Sequence, residues 1–350
     1  MRMTLQQEQR LIARFLEPLN MPEADAKILG EVVSHSDFTG VYSHGLSRFM
    51  MYVRQLQAGA LNPRPDIRKI REIGAVVTYD CDHASGIVAV NRVYDDLVER
   101  ARQHGIAAGC GMHAANIGCG NYYGQRAAAD NMLCILMCNT LLAMAPYGGA
   151  DRLIGTNPII MACPTDSGFP LVLDISTSNV AMGKISSYKR EGKSIPLGWA
   201  NDEQGRPTTD ASAAYAVTPI GGHKGYGLAV FVDIFSAVLA GASFGTEIKS
   251  VFKLQNENTG FAMILMDIEH FLPLDEFKRR ASEYVTMIKE SRPAEGVKEI
   301  FLPGEIEYRK HEQYLREGLE VSDATCAALQ KLAVEMGLLG ENESIEKLMA

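Results

Sequence analysis

The feature that most constrains this chain is a change in the spacing of its apolar residues. Near both ends they recur at intervals of three and four residues, whereas residues 106–175 hold short apolar runs between glycine-rich turns. The first pattern predicts amphipathic helices, and the second is typical of buried strands. We therefore expect an α/β fold in which helices from the two chain ends pack together around or beside a β-rich centre.

The predicted elements follow this division. Helices are predicted over residues 5–19, 21–40, 43–59, 86–104, 121–129, 223–240, 273–288, 308–317 and 322–336. Strands are predicted as a pair within residues 68–80 and singly over residues 106–110, 132–138, 159–163, 171–175 and 261–268. The apolar helix at 223–240 is expected to be buried in the core, because it is short for a membrane span and carries Asp233.

Net charge and cysteine usage limit the classes of partner. The 350-residue chain has a formal net charge of −8 and no block of lysine or arginine, so we expect neither nucleic acid nor a membrane as partner. Its seven cysteines form no CxxC pair, and residues 1–14 contain no apolar signal core, which predicts a reducing, cytoplasmic location. Cys134 and Cys138 fall within one predicted strand, and no metal site is predicted.

Ser43 and His44 are followed by Gly45 and, one helical turn later, by Arg48. An imidazole can exchange a proton with a substrate oxygen, and a guanidinium can bind a carboxylate through two parallel hydrogen bonds. An oxidoreductase that acts on a small keto or hydroxy acid needs both groups. The structural alternative is that Ser43 is the N-cap of the helix predicted at 43–59.

Three glycine-rich segments are candidates for phosphate binding. Residues 118–124 have one residue too many for a Rossmann fingerprint, and no acidic residue stands about twenty positions later. Gly183-Lys184 lacks the earlier glycine of a P-loop. Residues 221–227 lead into a helix, whose N-terminus would form an anion site together with Lys224. The alternative is a flexible helix entry with a solvated lysine.

Six segments, in order along the chain, resemble motifs of the malate/L-lactate dehydrogenase family, an NAD(P)-dependent group without a Rossmann fold. They are residues 43–45 (SHG), 155–158 (GTNP), 174–178 (DISTS) with 183–184 (GK), 195–200 (IPLGWA) through 207–209 (PTT), 224–228 (KGYGL) and 303–305 (PGE). The resemblance implies a mixed α/β cofactor-binding domain of residues 76–269. It also implies a helical domain built from residues 1–75 with 270–350, and a homodimer.

The resemblance assigns site residues by position. His44, with Ser43 beside it, matches the proton donor of the family, and Arg48 and Tyr52 match the substrate pocket, to which Thr140 is also assigned. The positions that match cofactor-binding residues are Thr140, Thr156, Asn157, Asp174, Ile175, Ser176, Lys184, Lys224, Gly225, Gly304, Glu305 and Ile306. Asp174 suits ribose hydroxyls and Lys224 suits a pyrophosphate; the structural alternatives are a helix cap and a surface charge.

One position departs from the family pattern. Many members carry a histidine in a Ser-Asn-His-Phe-Gly segment, whereas this chain has Asn116 at that point. An asparagine can donate a hydrogen bond to a developing oxyanion but cannot transfer a proton near neutral pH. Either His44 performs all of the proton transfer or the substrate differs from a simple 2-hydroxy acid. His113 is a minor alternative as a second imidazole.

From this resemblance we expect hydride transfer between a nicotinamide and C2 of a small 2-keto or 2-hydroxy acid of the malate, lactate or ureidoglycolate kind. His44 would exchange the proton, Arg48 would bind the carboxylate, and Asn116 would polarise the reacting group. NADH is favoured over NADPH because no basic residue follows Asp174 before Lys184. The alternatives are a cyclic imino-acid reductase, a catalytically impaired nucleotide-binding paralogue, and a metal-dependent lyase or hydrolase.

Overall fold

The computed structural model describes residues 1–349. Its helices are α1 (Leu5–Leu16), α2 (Glu23–Phe38), α3 (Leu46–Gln57), α4 (Gly86–His104), α5 (Gly120–Ala129), α6 (Met182–Arg190), α7 (His223–Asp233), α8 (Leu274–Lys289), α9 (Glu305–Glu317) and α10 (Asp323–Glu335). Its strands are β1 (Arg2–Met3), β2 (Arg68–Ile73), β3 (Val76–Asp80), β4 (Ile106–Ala114), β5 (Met132–Cys138), β6 (Leu142–Met144), β7 (Ile154–Gly155), β8 (Ile159–Cys163), β9 (Leu171–Ile175), β10 (Ala200–Asn201), β11 (Pro207–Thr208), β12 (Ala216–Val217), β13 (Thr259–Asp267) and β14 (Leu319–Glu320).

The main sheet has the strand order β2-β3-β4-β13-β5-β8-β9, and only β3 and β4 run parallel to each other. Helices α4 and α5 cover one face, where Leu97 and Tyr123 join Leu136 of β5 in one apolar cluster. On the other face, Met137 of β5 packs with Val232 of α7. Strand β5 is therefore buried on both sides, which explains its continuous apolar run.

The two ends of the chain share one core. Apolar side chains of α1, α2, α3, α10 and the C-terminal residues 345–349 form a single buried cluster around Phe15, Phe38 and Phe49. Strand β1 also pairs with β14. The predicted α/β class, with helices from both ends packed beside a β-rich centre, is confirmed. The domain division at residues 75 and 76 stays a prediction, and the β2–β3 hairpin crosses it.

Short strands were missed because two or three residues carry no readable periodicity. They form a second sheet with the order β11-β10-β12-β6-β7. This sheet lies over an apolar cluster that contains Met144, Val217 and Ala229 of α7. Helix α7 is therefore packed between the main sheet and the small sheet.

The predicted buried helix at 223–240 is wrong in two respects. Helix α7 ends at Asp233 and continues as one π-helical turn, Ile234–Val238. Although Ala229 and Val232 pack inward, Phe231 is 63% and Leu239 is 64% exposed in the single chain. One apolar face of this segment thus points away from both sheets. Within residues 1–349, no helix combines the length and the apolar character that crossing a bilayer requires.

Helix α3 begins three residues later than predicted, and Ser43 is not its N-cap. Residues 42–44 form a separate 3-10 turn, and Gly45 precedes the helix. The carboxylate of Asp37 accepts a hydrogen bond from the backbone N–H of Leu46 at 2.6 Å. A Cβ atom at Gly45 would lie 2.0 Å from that carboxylate, so glycine is required for this close approach. The first turn of α3 is therefore anchored to α2.

Asp37 shares its buried environment with a second acid, Glu8 of α1. Burial, followed by the neighbouring Asp37 carboxyl, raises the pKa of Glu8 well above its ordinary value. Burial also raises the pKa of Asp37 to about 6, although its bond from Leu46 favours the ionised form. The folded protein thus retains protons that the unfolded chain releases near pH 4. The free energy of unfolding therefore decreases as pH rises from the ordinary pKa of these carboxyls in the unfolded chain toward their higher pKa in the folded protein.

We expect Glu8→Gln to reduce this decrease, because the variant removes one of the two proton-retaining carboxyls. Between pH 5 and pH 8, it should lose less free energy of unfolding than the wild type. Urea denaturation at both pH values measures the difference. Glu17→Gln is the matched control, since the Glu17 side chain is 71% exposed. An equal decline in the wild type and Glu8→Gln would contradict the assignment.

Candidate active site

His44 ends the 3-10 turn that precedes α3. Its Nδ1 lies 3.0 Å from the hydroxyl oxygen of Ser43, which leaves Nε2 for a ligand. Burial and, secondarily, the positive charge of Arg48 lower the pKa of His44 to about 4. Protein atoms crowd the ring, yet the residue stays partly exposed to solvent. At neutral pH this imidazole is uncharged and can accept a proton.

Arg48 lies on the first turn of α3, close enough to His44 for its charge to act on the imidazole. Its guanidinium carbon is 6.0 Å from the centre of the Tyr52 ring. No carboxylate oxygen of residues 1–349 comes within 4.0 Å of the Arg48 nitrogens. A partly exposed guanidinium without a carboxylate partner is well suited to bind a substrate carboxylate.

Tyr52 and Gly118 fix the side chain of Asn116. The Tyr52 hydroxyl donates to Asn116 Oδ1 at 2.6 Å, and the backbone N–H of Gly118 donates to the same oxygen at 3.0 Å. Burial raises the pKa of Tyr52 to about 12, so its hydroxyl remains a neutral donor. With the oxygen engaged, the NH2 group of Asn116 remains as a donor to a ligand.

Glu257 belongs with these residues, although the sequence analysis did not identify it. It is 3% exposed. Burial raises its pKa, while the charge of Arg48 and the backbone N–H of Asn116 act in the opposite direction. Its surroundings in sequence, the polar segment 255–258, are typical of a surface loop and contain no signal of a buried acid. We call His44, Arg48, Tyr52, Asn116 and Glu257 the His44 cluster.

Asp174 lies near the end of β9, where it remains exposed. Its Oδ2 accepts a hydrogen bond from the backbone N–H of Asn121 at 2.7 Å, on the first turn of α5. Burial by the surrounding protein raises its pKa to about 6, against the effect of this bond. The capping contact is thus observed. The contact with ribose hydroxyls stays a prediction, which the accessibility of the carboxyl permits.

Thr140, Thr156 and Asn157 form one polar network between the two sheets. The backbone N–H of Thr140 donates to Asn157 Oδ1 at 3.1 Å, and that of Thr156 donates to the Thr140 hydroxyl at 2.9 Å. The amide nitrogen of Asn157 donates to the carbonyl of Ala229 in α7 at 3.0 Å. These bonds hold the loop after β5 against α7. Their cofactor contacts stay predictions.

The start of α7 has the properties of an anion site. Gly221 and Gly222 both have positive φ, at 60° and 65°, and no side chain caps the helix. Lys224 is exposed and pairs with no acid in the part of the chain that the structure describes. Gly225 is needed for packing, since a Cβ there would lie 2.2 Å from the Ile220 carbonyl. Uncapped N–H groups beside an unpaired lysine can bind a phosphate.

The other predicted cofactor residues lie in several environments. Lys184 of α6 lies 5.0 Å above the ring of Trp199. Ile175 belongs to β9, and the Ser176 hydroxyl lies 3.1 Å from that of Ser178. These contacts do not by themselves indicate cofactor binding. The assignment of Lys184, Ile175 and Ser176 to the cofactor site therefore stays a prediction.

Glu305 is buried and takes part in ion pairs at the start of α9. It is 2% exposed and pairs with Lys289 and Arg309 at 2.5 Å each, while its second oxygen accepts the backbone N–H of Leu302. Gly304, with φ of 84°, turns the chain into α9, and Ile306 is exposed. Glu305 therefore stabilises the start of α9, and any contact of residues 304–306 with a cofactor stays a prediction.

The donor set fits a nicotinamide dinucleotide. The uncapped start of α7 and Lys224 offer positive partners for a pyrophosphate, and the accessible carboxyl of Asp174 offers acceptors for ribose hydroxyls. The carboxyls of Asp174 and Glu257 both act on the Cys138 thiol and raise its pKa, after burial as the main cause. Cys138 of β5 therefore lies near both carboxyls.

His113 does not enter this arrangement. The Nδ1 of His113 lies 2.8 Å from Asp80, and its ring lies 5.1 Å from that of His83. Neither partner belongs to the His44 cluster. Cys134 and Cys138 lie in β5, as predicted. Among residues 1–349, no group of three or more His, Cys, Asp or Glu side chains is placed to hold a metal ion.

We expect Arg48→Gln to raise the pKa of His44, because the variant removes the positive charge that disfavours the imidazolium. The increase should be a few tenths to about one unit, with burial holding the value below its ordinary range. An NMR titration of the His44 ring protons measures it. Arg54→Gln is the control on the same helix, since Arg54 pairs with Glu335. If both variants left the pKa unchanged, the proximity of the two charges would be disproved.

Comparison with known proteins agrees with this geometry. Residues 3–330 match the model of the family described as malate/L-lactate dehydrogenase. The chain is 36% identical over 334 residues to L-sulfolactate dehydrogenase from Methanocaldococcus jannaschii, covering 95% of this chain and 96% of that protein. It is 36% identical over 339 residues to malate dehydrogenase from Pyrococcus horikoshii, covering 94% of each. Ureidoglycolate dehydrogenase (NAD(+)) from Escherichia coli K12 is 30% identical over 317 residues, covering 90% of each.

Solved structures agree with the sequence matches. The sulfolactate dehydrogenase from M. jannaschii superposes with a TM-score of 0.91 at 35% identity, covering 99% of both chains. Delta1-piperideine-2-carboxylate reductase from Pseudomonas syringae superposes with a TM-score of 0.86 at 26% identity, covering 95% of this chain and 100% of that one. The family uses NAD(P) as cofactor, and its named members include dehydrogenases of hydroxy acids. The chain therefore belongs to the malate/L-lactate dehydrogenase family and is an oxidoreductase that acts on CH–OH groups.

Proposed function

We propose that this enzyme transfers a hydride between NAD(P) and C2 of a small 2-keto or 2-hydroxy acid. The observation that carries the proposal is an uncharged imidazole, His44, beside a guanidinium with no carboxylate partner, Arg48. The first group can exchange a proton with the substrate oxygen, and the second can hold the substrate carboxylate. When bound, the nicotinamide supplies the hydride acceptor or donor.

His44 carries the proton transfer. With its Nδ1 directed at Ser43, its Nε2 is the nitrogen that accepts the hydroxyl proton as a 2-hydroxy acid is oxidised. In the opposite direction, the same nitrogen returns the proton to the carbonyl oxygen. A low pKa in the free enzyme favours the base form, and a bound substrate carboxylate would raise this pKa toward the working range.

Asn116 acts as a hydrogen-bond donor. Because Tyr52 and Gly118 engage its oxygen, its NH2 group can polarise the reacting oxygen or nitrogen of the substrate. It cannot replace a second histidine as a proton donor, so a single imidazole serves both directions of the reaction. The likeness to delta1-piperideine-2-carboxylate reductase supports reduction of a cyclic imino acid as the second candidate function.

Lys224 and the start of α7 would hold the pyrophosphate, and Asp174 would accept from ribose hydroxyls. NADH is the proposed cofactor, since no basic residue lies between Asp174 and Lys184 to pair with a 2′-phosphate. We also propose a cytoplasmic location. The seven free cysteines support it, because free thiols persist in a reducing compartment.

We expect His44→Ala to lower kcat by about a hundredfold or more, the scale of losing a general acid or base. The assay follows NADH and NADPH at 340 nm with a panel of 2-keto and cyclic imino acids. His104→Ala is the control, because His104 is exposed at the end of α4. A His44→Ala variant within a few-fold of the wild type would reject the role of His44. If cofactor binding occurred without turnover of any substrate in the panel, the chain would be a nucleotide-binding paralogue.

We propose that the chain forms a homodimer through the apolar face of α7 and its π-helical turn. The exposed side chains of this face are Leu228, Phe231, Ile234, Phe235, Val238 and Leu239. A contiguous patch of this kind is uncommon on the surface of a monomer and is typical of an interface. A twofold axis would place the same patch of a second chain against it.

We expect Phe231→Glu to shift the protein from dimer to monomer, because two glutamates would be buried at the twofold interface. Size-exclusion chromatography with light scattering gives the mass. Phe271→Glu is the matched control, since Phe271 is 67% exposed, close to the 63% of Phe231, and lies outside α7. A Phe231→Glu variant that remained dimeric would exclude this face as the interface.

A further inference from the structure

Gly86, the first residue of α4, lies directly against the loop that carries Asn116. A Cβ atom at position 86 would lie 2.1 Å from the carbonyl oxygen of Ala115 and 2.6 Å from that of Asn116. Close carbon-to-oxygen contacts in proteins measure about 3.3 Å or more, so no side chain fits between the helix and the loop. The φ of Gly86 is not positive, and the close approach is therefore the reason that glycine is required here.

The start of α4 interacts favourably with these two carbonyl groups. No side chain caps the helix, and the hydroxyl of Ser85, its N-cap residue, is buried without a hydrogen-bond partner among residues 1–349. The first turn of a helix carries the positive end of the helix dipole, and its backbone N–H groups lack partners within the helix. Carbonyl oxygens carry partial negative charge. Their contact with the helix start exists only while position 86 has no side chain.

Helix α4 is too firmly packed to move away from the loop. Ile87 belongs to the core formed by the chain ends, and Ala89 and Val90 belong to the apolar cluster beneath the main sheet. All three side chains are completely buried. A group added at position 86 would therefore displace the loop and leave the helix in place.

The loop is tied down on both sides of its contact with Gly86. Before it, the backbone N–H of His113 donates to Asn258 Oδ1 at 3.0 Å. After it, the hydroxyl of Tyr123 donates to the carbonyl of Ile117 at 2.6 Å. Between these two bonds, the packing on Gly86 sets the position of the backbone at residues 115 and 116.

The backbone position of Asn116 decides where its side-chain amide lies. Its Oδ1 accepts from the Tyr52 hydroxyl at 2.6 Å and from the backbone N–H of Gly118 at 3.0 Å. Hydrogen bonds weaken steeply with distance and angle, so the two bonds are compatible with only a small range of backbone positions. The direction of the NH2 group therefore depends on the contact with Gly86.

We infer that Gly86 is a positioning residue for the proposed reaction. It holds the backbone of Asn116 where the NH2 group of this residue meets the reacting oxygen or nitrogen of the substrate. An alanine at position 86 would displace the loop by roughly 1 Å, and a displacement of that size is enough to lower a rate by about a hundredfold. The inference rests on the proposed function and adds to it a residue that lies outside every motif of the sequence.

Steady-state kinetics of Gly86→Ala test the inference. With the best substrate of the 340 nm panel, we expect kcat to fall by about tenfold or more, while KM for NADH stays within a few-fold. Gly30→Ala is the matched control, because Gly30 lies within α2 and a Cβ there would meet its nearest neighbour, Ile12, at an ordinary 3.7 Å. The control should keep the wild-type kcat. A wild-type kcat in Gly86→Ala would overturn the inference.

A double-mutant cycle separates positioning from a general disturbance of the fold. Asn116→Gly removes the amide and makes the loop more pliable, so adding Gly86→Ala to it should change kcat by less than about twofold. An equal loss in both backgrounds would show that Gly86 acts through another group. If Gly86→Ala alone did not fold, we expect the double variant to fold, because a glycine at position 116 lets the loop yield. Failure of both to fold would limit Gly86 to a role in folding and refute the inference.

Crystal structures of the wild type and Gly86→Ala separate this inference from the proposed function. We expect Asn116 to be displaced by about 1 Å and its bond with Tyr52 to be lost, with α4 unmoved. An Asn116 that kept its place would contradict the inference. If Asn116 were displaced but Asn116→Gly retained the wild-type kcat, the proposed role of Asn116 would fail and the positioning by Gly86 would stand.

Discussion

The site depends on one hydrogen bond, from the backbone N–H of Leu46 to the carboxylate of Asp37 at 2.6 Å. It anchors the first turn of α3 to α2 and thereby fixes both residues on which the chemistry depends. His44 lies just before this anchor, and Arg48 lies one turn after it. A carboxylate at a helix start also interacts favourably with the helix dipole. The close approach of the Asp37 carboxylate to the backbone at position 45 requires glycine there.

Burying an ionised carboxylate lowers the stability of the folded protein. Here two neighbouring acids share the buried environment. Glu8 of α1 lies beside Asp37, and burial together with the neighbouring Asp37 carboxyl raises its pKa, which favours its protonated form. Protonation of one acid of the pair avoids two adjacent buried charges. This arrangement exists only because the N-terminal helix packs against α2 and α3 in the same core as the C-terminal residues. The chain ends therefore contribute to the site without touching a substrate.

Helix α7 contributes to the proposed anion site, to the packing between the two sheets and to the polar network of Thr140 and Thr156. Its uncapped start, with Lys224, forms the proposed anion site, and its inward face packs between the two sheets. The carbonyl of Ala229 in its middle turn also accepts from Asn157 and so holds the network of Thr140 and Thr156. Its outward face and the π-helical turn that follows carry exposed apolar side chains.

The sequence alone determined the α/β class, the main helices and strands, and the candidates His44 and Arg48, since these depend on local periodicity and on motifs contiguous in the chain. The tertiary structure decided what depends on residues distant in sequence. It assigned the capping of α3 to Asp37 rather than Ser43, paired Glu305 with Lys289 and Arg309, and directed His113 to Asp80. It also exposed half of a helix whose composition predicts burial, and it buried Glu257 within a segment that reads as a surface loop. The reason is physical: burial, partner and pKa are properties of the space around a side chain, and that space is created by segments far away along the chain.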